Sequence, residues 1–443
     1  MRCIANLSTL TANPDPTHAA QAHGWRWAPW WILVFVALWP APGYAEGVMV
    51  LGALAAIVKL LLARFRGVMQ LLSGPAWALT SVLFFAYWLP ELFSSVDAVD
   101  GARALKESLV DLRYLPFLWL AAAAVASDRA RRITFVGLGV IVGIWTVDAL
   151  LQAAFGTSPL FFGIDRIKHA ISGHGMCPVQ NLAQDRLSGV LGPCNLKLGL
   201  VLASLAPFAL YGASRRFGAI GWVVASAAIG LVVLLAGSRA SWITFGLVLL
   251  WSGWRLLGWK KLLGVFVFGA AVMVALVAFS PQVRDRIERT TQAVTADQEG
   301  VDVALSGRAR IWGAATCMAR QHPLNGVGAR GFREQFAACD PEPGKPPAWG
   351  SGPALHAHQI LLEILSETGA IGLLLWLAGA AMAWRAWRYA SAAARERARP
   401  AMLALAVTVF PFNTHLAFYS TFWGGLTLML AALYAGSLLE RER

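Results

Sequence analysis

The chain has 443 residues, of which 57% are hydrophobic and only 14% are charged, with a formal net charge of +13. This composition is far more apolar than that of an average soluble domain, so it excludes that class and predicts a polytopic membrane protein. The basic excess alone would suit a nucleic-acid partner, but its placement between apolar segments excludes nucleic acid as the expected partner.

The apolar runs predict an all-α fold with about 12 transmembrane helices, because a bilayer core about 30 Å thick needs about 20 apolar residues per helix. Residues 1-27 are expected to form a cytoplasmic tail, since the polar start lacks the order of a cleaved signal peptide. The predicted spans are 28-45, 46-63, 71-90, 114-127, 133-155, 194-213, 217-236, 240-255, 262-280, 357-383, 400-417 and 420-438. Nine of these spans lie within residues 28-280 and three lie within residues 357-438. Residues 439-443 are expected to form a second cytoplasmic tail.

Lys and Arg cluster in every second segment between the runs, so that 20 of the 37 basic residues fall on one side of the predicted membrane. The positive-inside rule assigns that side to the cytoplasm. An even number of spans follows, with both termini cytoplasmic. The basic excess is therefore a topology signal.

The outer segments long enough to hold a functional site are residues 91-113, 156-193 and 281-356. The last is the largest and contains the pattern ARIWGAATCMARQ, in which Ile311, Ala315 and Met318 recur at helical spacing. A Pro-rich stretch, CDPEPGKPPAWGSGP, follows it. We predict a large, partly helical periplasmic loop.

Four of the five cysteines fall in these outer segments. Cys177 and Cys194 form one candidate disulfide pair and Cys317 and Cys339 the other, since outer segments face an oxidising compartment. Free thiols are the alternative for each pair. No CxxC, His-x-Glu or DxD cluster occurs, so the sequence predicts no metal site.

His358 is the first candidate catalytic residue, because an ionisable side chain at the mouth of a membrane-length helix carries a free-energy cost. On a helix beginning near residue 357, His358 shares one face with Leu362, Leu365, Gly369 and Gly372, and His356 falls opposite. The small residues would admit a neighbouring helix. The alternative is an interfacial histidine whose hydrogen bonds are satisfied.

Two arginines suit binding of a diphosphate without metal, because guanidinium groups bind phosphate bidentately. Arg239 lies in a very short turn between two predicted spans. Arg308 opens the helix of the large loop, with Ser306 as its expected cap, and helix N-termini attract anions. Either arginine could instead be an interfacial residue with no ligand.

The motifs GSRASW, SGRARIW, HPLNGVGARGF and HAHQILLEILSETGAIG resemble the signature shared by O-antigen ligases and O-antigen polymerases. Near the C-terminus, FPFNTHLAFYSTFWGG resembles the ligase branch. The resemblance spans about residues 186 to 425. It implies a metal-independent, inverting GT-C-type glycosyltransferase that needs no cofactor and takes glycan from undecaprenyl diphosphate at the periplasmic face of the bacterial inner membrane.

By that resemblance, His358 is the catalytic base, Arg239 and Arg308 contact the donor diphosphate, and the acceptor is lipid A-core. Gln359 departs from the Asn or Ser usual after the histidine. The motif GPCNLKLG adds Asn195 and Lys197 as candidate site residues, and Arg186 and His356 complete the set.

Two other functions remain open from the sequence. A polymerase would use the same residues to join lipid-linked repeat units. A polysaccharide or lipid transporter would need ionisable residues near the midplane of several spans, where Asp148 is the clearest example.

Overall fold

The computed structural model describes residues 25–65, 72–177, 186–279, 284, 307–347, 349, 352–411, 413 and 417–439. This part of the chain is all α-helical, with no β-strand. The helices are α1 (Ala28–Ala37), α2 (Pro42–Phe65), α3 (Gly74–Ser94), α4 (Gly101–Asp111), α5 (Tyr114–Ala123), α6 (Asp128–Phe155), α7 (Pro159–Ser172), α8 (Leu198–Leu235), α9 (Arg239–Phe279), α10 (Arg308–Gln321), α11 (Phe332–Cys339), α12 (Ile360–Tyr389), α13 (Ala392–Thr408) and α14 (Thr421–Leu439).

The apolar helices pack around α14, where 89% of the residues in its most apolar 18-residue stretch are buried. Helices α3, α5 and α13 lie against α14, and α12 packs along α3. Helix α8 joins this group to α6 and α9. By contrast, α2 exposes a row of leucines, isoleucine and valine, as expected of a helix that faces lipid on one side.

Six helices are long and apolar enough to cross a membrane, by length and composition within the described residues. They are α2, α3 extended to Asp97, α6, α8, α12 and α14. The figure of about twelve spans is not confirmed by this criterion. Helices α8 and α9 are each broken, at Gly218 and Gly258, where the backbone leaves the helical region. Gly258 lies between two predicted spans, and Gly218 is the second residue of the predicted span 217-236. Most of both predicted tails lies outside the described residues.

The described part of the large loop has a small core of its own, built from α10, α11 and the segment before α12. Ile311, Ala315 and Met318 are buried in it, as the helical pattern predicted. Arg310 fastens the Pro-rich stretch to α10, because its Nε and Nη2 donate to the two carboxylate oxygens of Asp340, at 2.7 and 2.6 Å. Cys317 is disulfide-bonded to Cys339, which ties α10 to the end of α11.

Helix α12 is broken at Gly369, which has φ +66°. A break frees backbone N–H and C=O groups, and in an apolar environment each must find a partner. The segment 323–330 supplies those partners. The N–H groups of Val327, Gly328, Ala370 and Ile371 donate to the carbonyls of Ser366, Glu367, Pro323 and Leu324, respectively. The loop thus docks directly on the membrane helix.

The two small residues of α12 that were predicted to admit a neighbouring helix have different roles. A side chain at Gly369 would meet the backbone of Leu324 and Asn325, so this glycine admits the loop. Gly372 faces a neighbouring helix as predicted, at Pro90 of α3.

We expect Gly369→Ala to destabilise the protein by more than about 1 kcal/mol, since it forces a Cβ into a positive-φ position against backbone atoms. Gly143→Ala on α6 is the matched control, because a Cβ there meets nothing within 4 Å. It should stabilise the helix slightly. Unfolding midpoints in detergent measure both changes, and equal effects of the two substitutions would contradict the docking role of Gly369.

Candidate functional site

His358 lies in the turn that precedes α12, not on the helix. The helix begins at Ile360, and His358 has φ 55°, a left-handed conformation that only one other non-glycine residue, Arg330, adopts in the described part of the chain. The predicted helical face that included His358 is therefore wrong. Strained backbone of this kind persists only where its surroundings hold it, and it is frequent at functional sites.

Gln359 holds this turn in place. Its Oε1 accepts a hydrogen bond from the N–H of Leu362, at 2.5 Å, and so caps α12. Its Nε2 donates to the carbonyl of Pro411, at 3.0 Å. The longer amide at this position thus links the helix start to the segment before α14, and it positions His358 through the backbone.

His356 lies beside His358, not opposite it as predicted. The two ring centroids are 3.9 Å apart, because the turn brings alternate residues to one side. Because the two residues are both histidines and their rings are adjacent, residue type does not show which of them is the catalytic base. Their roles need a direct test.

Three of the four predicted cationic residues lie at or beside the start of a different helix, and Arg186 lies in the segment before α8. Lys197 is the N-cap residue of α8, Arg239 is the first residue of α9, and Arg308 is the first residue of α10. Arg308 follows Gly307, which has φ 77° and occupies the N-cap position. Ser306, the expected cap, lies outside the described residues.

The structure brings these cations close enough to perturb one another. Burial, followed by the charges of Arg239 and Arg186, lowers the pKa of Arg308 to about 10. Burial and Arg186 also lower the pKa of Arg239. Helix N-termini carry partial positive charge, so backbone and side chains here favour the same ligand, an anion.

His358 belongs to the same electrostatic cluster. Burial, followed by the positive charges of Arg308 and Lys197, lowers its pKa from 6.5 to about 4. The imidazole is therefore neutral at pH 7, as a proton acceptor must be. We call Arg186, Lys197, Arg239, Arg308 and His358 the cationic cluster.

Lys197 and Asn195 belong to the segment that leads into α8, within the motif GPCNLKLG. The ammonium of Lys197 lies 4.7 Å from the ring centroid of Phe422, the second residue of α14. The Oδ1 of Asn195 is buried without a hydrogen-bond partner among the described residues. Cys177 is disulfide-bonded to Cys194, the residue directly before Asn195. The disulfide therefore restrains the segment that carries Asn195 and Lys197.

Sequence reasoning missed Arg330, which links the loop to three other segments. Its side chain donates to the carbonyl of Tyr419 at 3.0 Å, to Glu107 at 2.8 Å and to the hydroxyl of Thr421 at 3.0 Å. Its backbone N–H donates to Glu367 at 2.8 Å. The available signal was the pair of glycines before it, Gly326 and Gly328, because both have positive φ.

Asp148, the residue that favoured a transporter, has a structural role. Its carboxylate accepts hydrogen bonds from the hydroxyl of Ser158, at 2.7 Å, and from the N–H of Leu160, at 2.9 Å. It anchors the start of α7. These hydrogen bonds account for the burial of Asp148, so no transported ion is needed to explain it.

Fold and site together define a helical membrane protein with a half-buried, positively charged site where several helices begin. Residues 223–377 match the family model described as O-antigen ligase. The match confirms the resemblance to the O-antigen ligase superfamily, and it covers Arg239, Arg308 and His358. Comparison with curated proteins gave no match.

We expect Arg308→Gln to raise the pKa of His358 from about 4 toward its usual value of 6.5, because a nearby positive charge is lost. Arg308→Lys keeps the charge and should leave that pKa almost unchanged. The measurement is the pH dependence of diethyl pyrocarbonate labelling at His358, read by peptide mass spectrometry. The reagent acylates neutral imidazole, so labelling falls as pH drops through the pKa. Equal midpoints in all three proteins would contradict the coupling.

Proposed function

We propose that this chain is an O-antigen ligase of the bacterial inner membrane. It transfers O-antigen glycan from undecaprenyl diphosphate to a sugar hydroxyl of lipid A-core at the periplasmic face. The observation that carries the proposal is the neutral His358 among half-buried cations. The family match supports it, since proteins of that family are glycosyltransferase-like enzymes acting on lipid-linked sugars.

In the proposed reaction, His358 accepts the proton of the acceptor hydroxyl while its oxygen attacks the anomeric carbon of the donor sugar. The bond from that carbon to the diphosphate oxygen breaks, with inversion at carbon. The diphosphate leaves with the electron pair of the broken bond. Arg239 and Arg308 stabilise the charge that builds on it, a preorganised electrostatic role.

Donor binding should also make His358 a better base. An imidazole with a pKa near 4 binds a proton weakly at neutral pH. A diphosphate bound to Arg308 and Lys197 offsets the charges that depress this pKa. The base would therefore gain strength only when the donor is present, which limits proton uptake in the empty site.

For the membrane topology, we propose about twelve spans in a GT-C-type arrangement, both termini cytoplasmic and the cationic cluster periplasmic. The breaks at Gly218 and Gly258 support division of α8 and α9 into two spans each. The same orientation puts the starts of α9, α12 and α14 on the side of the large loop. Both disulfides also fall on that side, which suits an oxidising compartment.

A polymerase that joins lipid-linked repeat units is the second candidate, because it would use the same cluster. The sequence feature that favours a ligase is FPFNTHLAFYSTFWGG, of which residues 412 and 414–416 lie outside the described part. A transporter is the weaker alternative now that Asp148 has a structural role.

His358→Ala should abolish transfer while the protein still inserts and folds, because the proton acceptor is lost. His356→Ala is the matched control: it removes the neighbouring ring and should keep substantial activity. The measurement is glycan transfer to lipid A-core by membranes that contain equal amounts of each variant. An inactive His356→Ala beside an active His358→Ala would reverse the catalytic assignment.

Transfer should survive EDTA, because we propose that cationic side chains, chiefly Arg239 and Arg308, bind the diphosphate without a metal ion. Among the described residues no group of three or more His, Cys, Asp or Glu side chains could hold a metal ion, and metal independence remains a prediction. Arg239→Ala and Arg308→Ala should each lose transfer, and Lys should rescue only partly, since it offers a point charge instead of a fork. Complete inhibition by EDTA that a divalent ion reverses would refute the arginine account.

The length of glycan on lipid A-core in a deletion strain separates ligase from polymerase. Without a ligase, full-length lipid-linked O-antigen should accumulate and lipid A-core should stay bare. Loss of a polymerase would still let single repeats reach the core. A core capped by one repeat in the deletion strain would therefore overturn the ligase assignment while leaving the roles of the cationic cluster open.

A further inference from the structure

Helix α7 carries an apolar stripe that is covered along only half of its length. Leu160 and Ile164 pack against the core, and Ile167 and Ile171 continue the same stripe at helical spacing. These last two side chains are 62% and 69% exposed, respectively. The second half of α7 therefore presents an apolar face to the surroundings of the protein.

The opposite side of α7 is charged. At about 100° per residue, Asp165, Arg166 and His169 fall on the other side of the helix from the apolar stripe. The guanidinium carbon of Arg166 lies 4.3 Å from the centroid of the Phe162 ring and covers that ring. Helix α7 is thus amphipathic, with basic residues on its polar side, which is typical of helices that lie on a membrane surface.

Helix α6, which leads into α7, has a lipid-facing side of its own. Its exposed apolar side chains recur at intervals of three and four residues, so they share one face. They are Val136, Val140, Ile144, Val147, Leu151 and Phe155. A continuous exposed apolar face on a helix long enough to cross a bilayer is the side that contacts hydrocarbon.

Asp148 sets the level at which α7 begins. Its carboxylate accepts hydrogen bonds from the hydroxyl of Ser158 and the N–H of Leu160, at the start of α7. Asp148 lies seven residues before Phe155, the end of α6, which is about 10 Å at 1.5 Å per residue. Helix α7 therefore begins level with the lipid-facing Leu151, not beyond the end of α6. The exposed part of its stripe lies close to apolar surface that faces lipid.

The second half of α7 is also linked to the cationic cluster. Asp165 accepts a hydrogen bond from the N–H of Met176, and the ammonium of Lys168 donates to the carbonyl of Gly175 at 3.1 Å. The next residue along the chain is disulfide-bonded to the segment that leads into α8 and carries Lys197. Contact between α7 and its surroundings can therefore act on the position of that segment.

We propose that α7 is a membrane-surface helix that binds the phospholipid bilayer and thereby positions the segment leading into α8. Ile167 and Ile171 insert among the lipid chains, and Arg166 and His169 face the head groups and water. A bilayer suits this face better than a protein partner, because α7 begins level with lipid-facing residues and carries more basic than acidic side chains. The link to glycan transfer rests on the proposed function, whereas the membrane contact does not.

The membrane contact is tested with a nitroxide on the full-length protein in phospholipid liposomes. Ile171→Cys supplies the thiol, and Cys3→Ser removes the fifth native cysteine, since the other four are disulfide-bonded. Collision rates with oxygen, which concentrates in lipid, and with a water-soluble nickel chelate show where the label lies. We expect oxygen access and loss of nickel access at residue 171. The matched control, His169→Cys, should show the reverse.

Two results would overturn the membrane contact. Nickel access at both positions would place the apolar stripe in water. Shielding of residue 171 from both reagents would mean that a protein partner, or another part of this chain, covers the stripe.

The positioning step is tested by glycan transfer. Ile167→Asn combined with Ile171→Asn should lower transfer by about tenfold, the change that corresponds to loss of one buried isoleucine side chain. Ile171→Asn alone should act in the same direction. Ile167→Leu combined with Ile171→Leu keeps the stripe apolar and should keep transfer, as should His169→Asn. Equal transfer by the Asn and Leu pairs, at equal unfolding midpoints, would refute the positioning step.

Failure of this proposal is distinguishable from failure of the proposed function. If the unchanged protein transfers no glycan, the proposed function fails, and the nitroxide result still decides the membrane contact. If it transfers glycan while residue 171 is exposed to nickel, the membrane contact alone fails.

Discussion

The electrostatic repulsion within the cationic cluster is the constraint on which the rest of the site depends. Arg186, Arg239 and Arg308 lie close enough to repel one another, and partial burial deprives their charges of water. Such an arrangement has a free-energy cost that a bound anion relieves. Burial of the imidazole, followed by the charges of Arg308 and Lys197, lowers the pKa of His358. The cations therefore attract a diphosphate and help to preserve a proton acceptor beside it.

The surrounding structure holds these charges where they would otherwise separate. The break in α12 at Gly369 receives the loop 323–330, and Arg330 joins that loop to the residues before α14. Arg310, two residues after Arg308, is fastened to Asp340, so the pair of arginines divides into one structural and one site residue. The disulfides restrain two of the contributing segments. The packing of the loop thus stabilises the protein enough to offset the repulsion between the charges of the site.

Much of this architecture follows from sequence pattern, and the exceptions have physical causes. The apolar runs predicted helices, and the positions of the cysteines in the outer segments predicted the two pairs that are disulfide-bonded in the structure. The register of His358 failed because helical periodicity assumes helical backbone, whereas a φ of 55° leaves no periodic trace. Gly369 suggested a helix contact because a small residue admits any close neighbour, and here the neighbour is loop backbone. Arg330 was missed because its partners are distant in sequence.

The most direct test of the cluster's role is the pKa of the His358 imidazole with and without saturating polyprenyl diphosphate. Carbon-13 NMR of histidine-labelled protein measures it, and the spectrum of His358→Ala assigns the signal. The account predicts a pKa near 4 in the empty protein and a clear rise when the diphosphate binds, because the anion offsets Arg308 and Lys197. An imidazole already protonated at neutral pH, or a pKa unchanged by bound diphosphate, would contradict it.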